Sequence, residues 1–233
     1  MVKKRGFLEK RKTLSEKMGP QELYSVIDQW PLYSGKKTLA RTVAILDIFK
    51  SIIDVDGDIA EFGSHKGANL LYITKLAEIY GVLDKKQVHC FESFEGLTNF
   101  TEEDGNQDSS EGRYQGSLSA LKDIIDLFEY KESITIHKGY IEDTLPSFLE
   151  KNPELRFSFI YYDADLYEPC KVVLDSLHDK LNVGGIFAFD EYGFEQWPGE
   201  TRAVDEFIAS NDSFKVEKPK ITDQPGLVLR KIK

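Results

Sequence analysis

Two apolar runs in this chain finish on acids. Phe159, Ile160, Tyr161 and Tyr162 lead into Asp163 and Asp165, while Ile186, Phe187, Ala188 and Phe189 lead into Asp190 and Glu191. Residues this apolar belong in buried strands, and a buried strand that ends in negative charge needs a proton, a cation or solvent at its tip. Carboxylates converging on one rim repel unless they share protons or bind a cation. An all-oxygen set suits a hard divalent ion such as Mg2+, which keeps part of its water shell. Asp165 also has a plain reading as a helix cap in "DLYEP", and the sequence leaves both open.

Other strand tips carry polar groups as well. "EFGSHKGAN" places Glu61, Gly63 and Gly67 between a short strand and a helix. Glycines there either let a ligand approach the helix N-terminus or simply serve a tight turn. The spacing is not G-x-G-x-x-G and no G-K-[ST] follows, so dinucleotide and P-loop readings lose ground. Glu92, at the end of "HCFE", stands where an acid accepts both hydroxyls of a ribose, or else is a solvated loop acid. In "GYIEDTLP", Tyr140 and Ile141 suit the faces of a base, with Glu142 or Asp143 near its amino group; Asp143 is alternatively a helix cap.

Nucleophiles are scarce. His89 and His137 fall inside strands, His178 on a helix, and His65 in the glycine turn with no triad spacing around it. Cys90 and Cys170 carry no nucleophile signature. Tyr167 and Lys171 have a Tyr-x-x-x-Lys spacing used by some dehydrogenases, but the glycine cradle for a nicotinamide cofactor is missing. Carboxylates and a cofactor are left to carry the chemistry.

The elements that must position these residues follow a regular order. Strand patterns at 58–62, 87–92, 133–139, 156–165 and 184–192 alternate with helical ones, which predicts parallel pairing with helices on both faces. Two final runs, "FKVEKPKI" and "GLVLRKIK", predict a C-terminal antiparallel hairpin at one edge. Residues 1–57 are expected to form an N-terminal helical cap, with Leu39, Val43, Leu46, Phe49, Ile52 and Ile53 on its apolar stripe, and 58–233 the main domain. The polar interval 98–113 is too long for a plain connection and reads as a lid or a mobile loop. Trp197 is equally a core residue or a surface for stacking on a sugar.

With 40 acidic against 30 basic residues in 233, the formal charge of −10 argues against nucleic acid or an anionic membrane as partner. No stretch approaches the roughly 20 apolar residues of a membrane span. Two cysteines make neither a disulfide framework nor metal-ligand pairs, so a cytoplasmic location is expected.

The segments "EFGSHKGA", "FESFEGL", "GYIEDTLP", "YYDADLYEP", "LNVGGIFAFDEYG" and "PGETRAVDEF" stand in an order that resembles the macrocin O-methyltransferase (TylF-like) family, from Asp58 to about Gly226. The resemblance implies a Rossmann-like, doubly wound, seven-stranded, mostly parallel α/β sheet. It implies an enzyme that uses S-adenosylmethionine, with Mg2+, to methylate a hydroxyl of a sugar or glycosylated small molecule. It assigns Glu61, Gly63, Ser64 and Gly67 to the methionine part of the cofactor, Glu92 and Ser93 to its ribose, and Tyr140, Ile141 and Glu142 to adenine. Asp163, Asp190 and Glu191 correspond to the metal ligands, Asp163 also touching the cofactor, and the order of acids is similar to that in catechol O-methyltransferases. Family members commonly carry two aspartates where this chain has Asp190 and Glu191. Asp163 and Asp165 are the catalytic acids, with Asp165 the candidate for taking the acceptor's proton. A homo-oligomer is also implied. A phenolic acceptor, or a non-catalytic protein that only binds the cofactor, are the alternatives.

Overall fold

The computed structural model describes residues 9–10, 12–14, 16–19, 23–105 and 110–233. The first residues of the expected cap and residues 106–109 of the polar interval lie outside the described residues. The chain divides into two compact units, Met1–Leu39 and Ala40–Lys233. In the first, helix α1 (Leu23–Asp28) leads through a 3-10 turn at Trp30–Leu32 to the first residues of α2 (Lys36–Lys50). Among the described residues, no helix is long and apolar enough to cross a membrane.

The second unit is one sheet with helices on both faces. Its strands are β1 (Asp58–Phe62), β2 (Val88–Glu92), β3 (Ile134–Lys138), β4 (Phe157–Tyr162), β5 (Leu181–Phe189), β6 (Phe214–Glu217) and β7 (Leu227–Lys231). The helices after α2 are α3 (Ala68–Ile79), α4 (Leu118–Leu127), α5 (Ile141–Lys151), α6 (Tyr167–Leu177) and α7 (Pro198–Ser210). The spatial order is β3-β2-β1-β4-β5-β7-β6, with β5–β7 and β6–β7 antiparallel and the other pairs parallel. The chain therefore runs outward from β1 to β3 and crosses back to lay β4 beside β1. That reversal opens a crevice at the carboxyl ends of β1 and β4.

Alternation along β4 shows how the core is shared. Phe159 and Tyr161 join Ile45, Phe49, Leu70 and Leu121 on the face covered by α2, α3 and α4. Ile160 and Tyr162 join Leu145, Val173 and Val204 under α5, α6 and α7. A strand buried on both faces reads as a continuous apolar run, as this one does.

The expected division at residue 57 falls too late. Ala44, Ile45, Phe49 and Ile52 are all buried in the sheet's core, so α2 beyond Leu39 belongs to the main unit. Most of the expected stripe faces the core, with Phe49 and Ile52 buried and Leu46 and Ile53 packed against it, but Leu39 is exposed, and Arg41 shares the line of Ile45 and Phe49. Truncating Phe49 to Ala is expected to cost about 3–5 kcal/mol in urea unfolding. A loss below about 1 kcal/mol would show that α2 is not part of this core.

Candidate active site

The register of the sheet sets the site. Phe91, Phe62, Tyr162 and Phe189 pair across β2, β1, β4 and β5, so the next residues, Glu92, Gly63, Asp163 and Asp190, emerge side by side. They line a cleft of about 410 Å3. An apolar row is thus followed directly by a polar one, at the switch point of the fold.

On the β1 side the cleft wall includes Glu61, which is 1% exposed. Its Oε1 accepts a hydrogen bond from Asn69 Nδ2 at 2.7 Å, whereas Oε2 is buried with no partner among the described residues. Burial pushes this carboxyl up to about 7, against the pull of the Ser64 hydroxyl and the Asn69 amide. A buried carboxylate oxygen without a donor is expensive, and a bound cationic group would relieve it.

The two glycines of the turn have mainly structural reasons. Gly63 has φ +85°, and a Cβ there would lie 2.1 Å from the carbonyl oxygen of Asp163. Gly67 (φ +81°) begins α3 and faces Leu121, whose Cδ1 would lie 2.4 Å from an added Cβ. Gly63 and Ser64 line the cleft, but Gly67 does not. The tight-turn reading therefore accounts for Gly67, whose neighbours Lys66 and Ala68 do line the cleft.

Glu92 holds the loop ahead of it. Its Oε2 accepts from the backbone N–H of His65 at 2.6 Å and its Oε1 from that of Phe94 at 2.8 Å. Oε1 also accepts from the Ser93 hydroxyl at 3.5 Å, and Oε2 keeps a second lone pair for a ligand hydroxyl. Ser93, Tyr140, Ile141 and Glu142 continue the wall beyond it. Asp143 is in the first turn of α5 and caps nothing, since Tyr140 is the residue that begins that helix without a side-chain cap.

At the other end the acids gather. One oxygen each from Asp163, Asp165 and Glu191 lies within 4.8 Å of the other two. This differs from the expected set, because Asp190 is engaged elsewhere. Its Oδ1 accepts from the Tyr161 hydroxyl and pairs with Arg41 Nη2 at 2.9 Å, while its Oδ2 accepts from Gln224 Nε2 at 2.9 Å. Gln224 Nε2 also reaches Glu191 Oε1 at 2.8 Å, and Arg41 Nη2 reaches Asp163 Oδ2 at 3.1 Å.

The charges are crowded and partly dry. Burial, then repulsion from Glu191 and Asp190, pushes Asp165 up to about 8. Burial, then Asp190, pushes Glu191 up to about 7. Glu200 is fully buried beneath them, held above the ordinary carboxyl range by desolvation and by the other acids. Its Oε1 accepts from the Glu191 N–H at 2.9 Å, which fixes that residue's backbone.

Asp165 is not the helix cap. The N–H of Tyr167 at the start of α6 donates to Asp104 Oδ1 at 2.8 Å, so the cap comes from the polar interval. Asp165 instead holds φ +65°, a left-handed conformation that costs a non-glycine residue of order 1–2 kcal/mol. Strain of this kind concentrates at functional sites.

Several other readings are settled. Trp197 is 4% exposed and packs with Leu97 and Leu166, so it is core. The Tyr167 hydroxyl donates to Glu206 Oε2 at 2.7 Å, which engages it with α7. His89 lies between Asp58 and His137, at 3.1 and 3.2 Å, as a packed polar chain. Arg41, Asn69, Asp104, Glu200 and Gln224 escaped the sequence reading. Arg41 alone left a usable signal, as a charge four residues before Ile45 on the apolar stripe.

The sheet order, the switch-point cleft and the antiparallel β7–β6 edge define an α/β methyltransferase fold. The chain belongs to the macrocin O-methyltransferase (TylF) family, whose model matches residues 25–230. It is 27% identical over 168 residues to demethyldecarbamoylnovobiocin O-methyltransferase of Streptomyces niveus, covering 68% of this chain and 61% of that one. It is 26% identical over 148 residues to 8-demethyl-8-(2,3-dimethoxy-alpha-L-rhamnosyl)-tetracenomycin-C 4'-O-methyltransferase of Streptomyces olivaceus, covering 60% and 55%. The match thus spans less than two thirds of either relative's length. In fold it is similar to the calicheamicin methyltransferase CalS11, with a TM-score of 0.82 at 24% identity over 96% of this chain and 91% of that one.

The raised carboxyls predict a pH dependence. Asp165, Glu191 and Glu61 bind protons more tightly folded than unfolded, so stability is highest at low pH within the window and falls as pH rises from about 4 to about 8. In EDTA, the urea midpoint is expected to drop across that range, and Asp165→Asn should flatten part of the drop. A midpoint that rises over the window would contradict the raised values.

Proposed function

We propose that this protein is an S-adenosylmethionine-dependent O-methyltransferase acting, with a divalent cation, on a hydroxyl of a sugar or glycosylated small molecule. The observation that carries the reading is that one cleft holds both an unpartnered buried oxygen of Glu61 and the convergent oxygens of Asp163, Asp165 and Glu191. The first suits the ammonium group of the cofactor's methionine part. In the second, the Asp163 and Glu191 oxygens are hard donors that suit Mg2+, with Asp165 beside them to meet the acceptor.

S-adenosylmethionine supplies a methyl on a sulfonium sulfur, passed to the acceptor oxygen as the carbon–sulfur bond breaks, and the divalent cation lowers the acceptor hydroxyl's pKa. Glu61 Oε2 accepts from the ammonium group. Glu92, its carboxylate already oriented by two backbone N–H groups, accepts from the ribose hydroxyls. Tyr140 and Ile141 wall the adenine, with Ser64, Ser93 and Glu142 beside them. Asp163 and Glu191 hold the cation, with Asp190 the third ligand of the motif. Asp165, close to both Asp163 and Glu191, takes the acceptor's proton on its carboxylate. The name of the Streptomyces olivaceus relative, which contains a rhamnosyl group, supports a glycosylated acceptor.

Isothermal titration of S-adenosylmethionine and S-adenosylhomocysteine, each with Mg2+ and with EDTA, tests the reading. Both are expected to bind, and Glu61→Gln should weaken S-adenosylmethionine by at least about tenfold, near the value of one charged hydrogen bond. No binding by the folded protein would remove the reading. Against a panel of nucleotide sugars and glycosides, Asp165→Asn should lower kcat about 10²–10⁴-fold with little change in cofactor affinity. Unchanged turnover would take the proton-accepting role from Asp165.

A further inference from the structure

The acid rim carries an internal cation. Arg41 extends from α2 so that Nη2 lies 2.9 Å from Asp190 Oδ1, 3.1 Å from Asp163 Oδ2 and 3.4 Å from the Tyr161 hydroxyl. These contacts all fall on one nitrogen. Nε is buried with no acceptor among the described residues. A guanidinium settled in a permanent ion pair typically presents two nitrogens to a carboxylate, as a fork. Here the fork is unused, while the charge sits between two strand tips.

Those two strand tips matter for the cation as well. Asp163 and Asp190 are two of the three acids that the family motif gives to the metal, yet with Arg41 in place the convergent oxygens are those of Asp163, Asp165 and Glu191. Asp190 is instead held by Arg41, Tyr161 and Gln224. A guanidinium and a divalent ion cannot share these oxygens at close range without strong repulsion.

We propose that Arg41 is the counter-ion of the metal-free site and competes with the divalent cation for Asp163 and Asp190. This rests on the reading that the rim holds such a cation. In the metal-free protein Arg41 neutralises acids that would otherwise repel one another. When the cation enters, the side chain withdraws, and Asp190 becomes free to join Asp163 and Glu191 while Asp165 is left to the acceptor. The helix itself need not move, because Ile45 and Phe49 anchor it in the core one and two turns further on. The side chain is already one-third exposed and borders the cleft, so it has room to turn.

The test compares wild type with Arg41→Met, and with Arg41→Gln as a second variant should the first not fold. Mn2+ affinity is measured without cofactor, from the free-ion signal in electron paramagnetic resonance, alongside Tm in EDTA. Competition predicts opposite signs: Mn2+ binds at least tenfold more tightly to the variant, while its metal-free Tm falls by several degrees. An arginine with a merely structural role would lower both. Equal Mn2+ affinity in wild type and variant overturns the competition and leaves the metal reading standing. No Mn2+ binding by either folded protein overturns the metal reading and this proposal with it.

Discussion

Glu61, Asp163, Asp165, Asp190 and Glu191 crowd one rim of the sheet, at or near the ends of strands whose preceding residues are buried on both faces, and Glu200 from α7 lies against them. Desolvated carboxylates this close cannot all be ionised without compensation. The molecule answers in several ways at once. Some acids keep protons, as the raised values of Asp165 and Glu191 indicate. Others take donors from the fold itself: the Tyr161 hydroxyl and Gln224 amide at Asp190, Asn69 at Glu61. Arg41 supplies the positive charge. Much of the architecture around the cleft can be understood as what is needed to hold these acids in place.

The backbone meets the same demand. Gly63 allows β1 and β4 to end within contact of each other, so that Glu61 and Asp163 face one cavity rather than two. Gly199 serves the far side, where a Cβ would lie 1.9 Å from Asp104 Oδ1. That approach lets Asp104 cap α6 while the next residue in α7, Glu200, holds the backbone of Glu191. The polar interval is therefore tied to the site through its first half: Asp104 also accepts from the Thr101 N–H and hydroxyl. An acid from a loop rich in acids ends up as a structural pin, while Asp165, which looked like a cap, is left with its carboxyl in the cleft wall.

What the sequence made legible follows from this. Strand and helix order, the parallel pairing and the terminal antiparallel pair all come from local patterns, and these patterns are strong because every strand of the sheet centre is buried on both faces. The strand-tip acids were legible for the same reason, since an apolar run breaking into acids is visible along the chain. The partners of those acids were not. Gln224 lies in a polar turn and Asn69 in a helix, and neither has a spacing that links it to a carboxylate far away in sequence. Arg41 was hidden because a stripe read from apolar residues passes over a charge, even one on the same line as Ile45 and Phe49. Similarly, Trp197 was undecidable because its neighbours, Leu97 and Leu166, come from segments that only the fold brings together.

The two ends of the cleft differ in how finished they are. At Glu92, both carboxylate oxygens are already oriented by backbone N–H groups, an arrangement that a ligand extends without disturbing. At Asp163 and Asp190, the donor is a long side chain with one of its nitrogens unsatisfied, an arrangement that a better cation improves by replacing it. Rigid hydrogen bonding at one end favours a cofactor site formed in advance, since little reorganisation is left for binding. On the proposed metal reading, a replaceable counter-ion at the other end keeps the acids from repelling until a cation arrives, at a cost in affinity, because the cation must first win the carboxylates from Arg41. Such a site discriminates by charge: a monovalent ion gains little over the guanidinium it displaces, whereas a divalent ion gains a second unit of attraction to each oxygen.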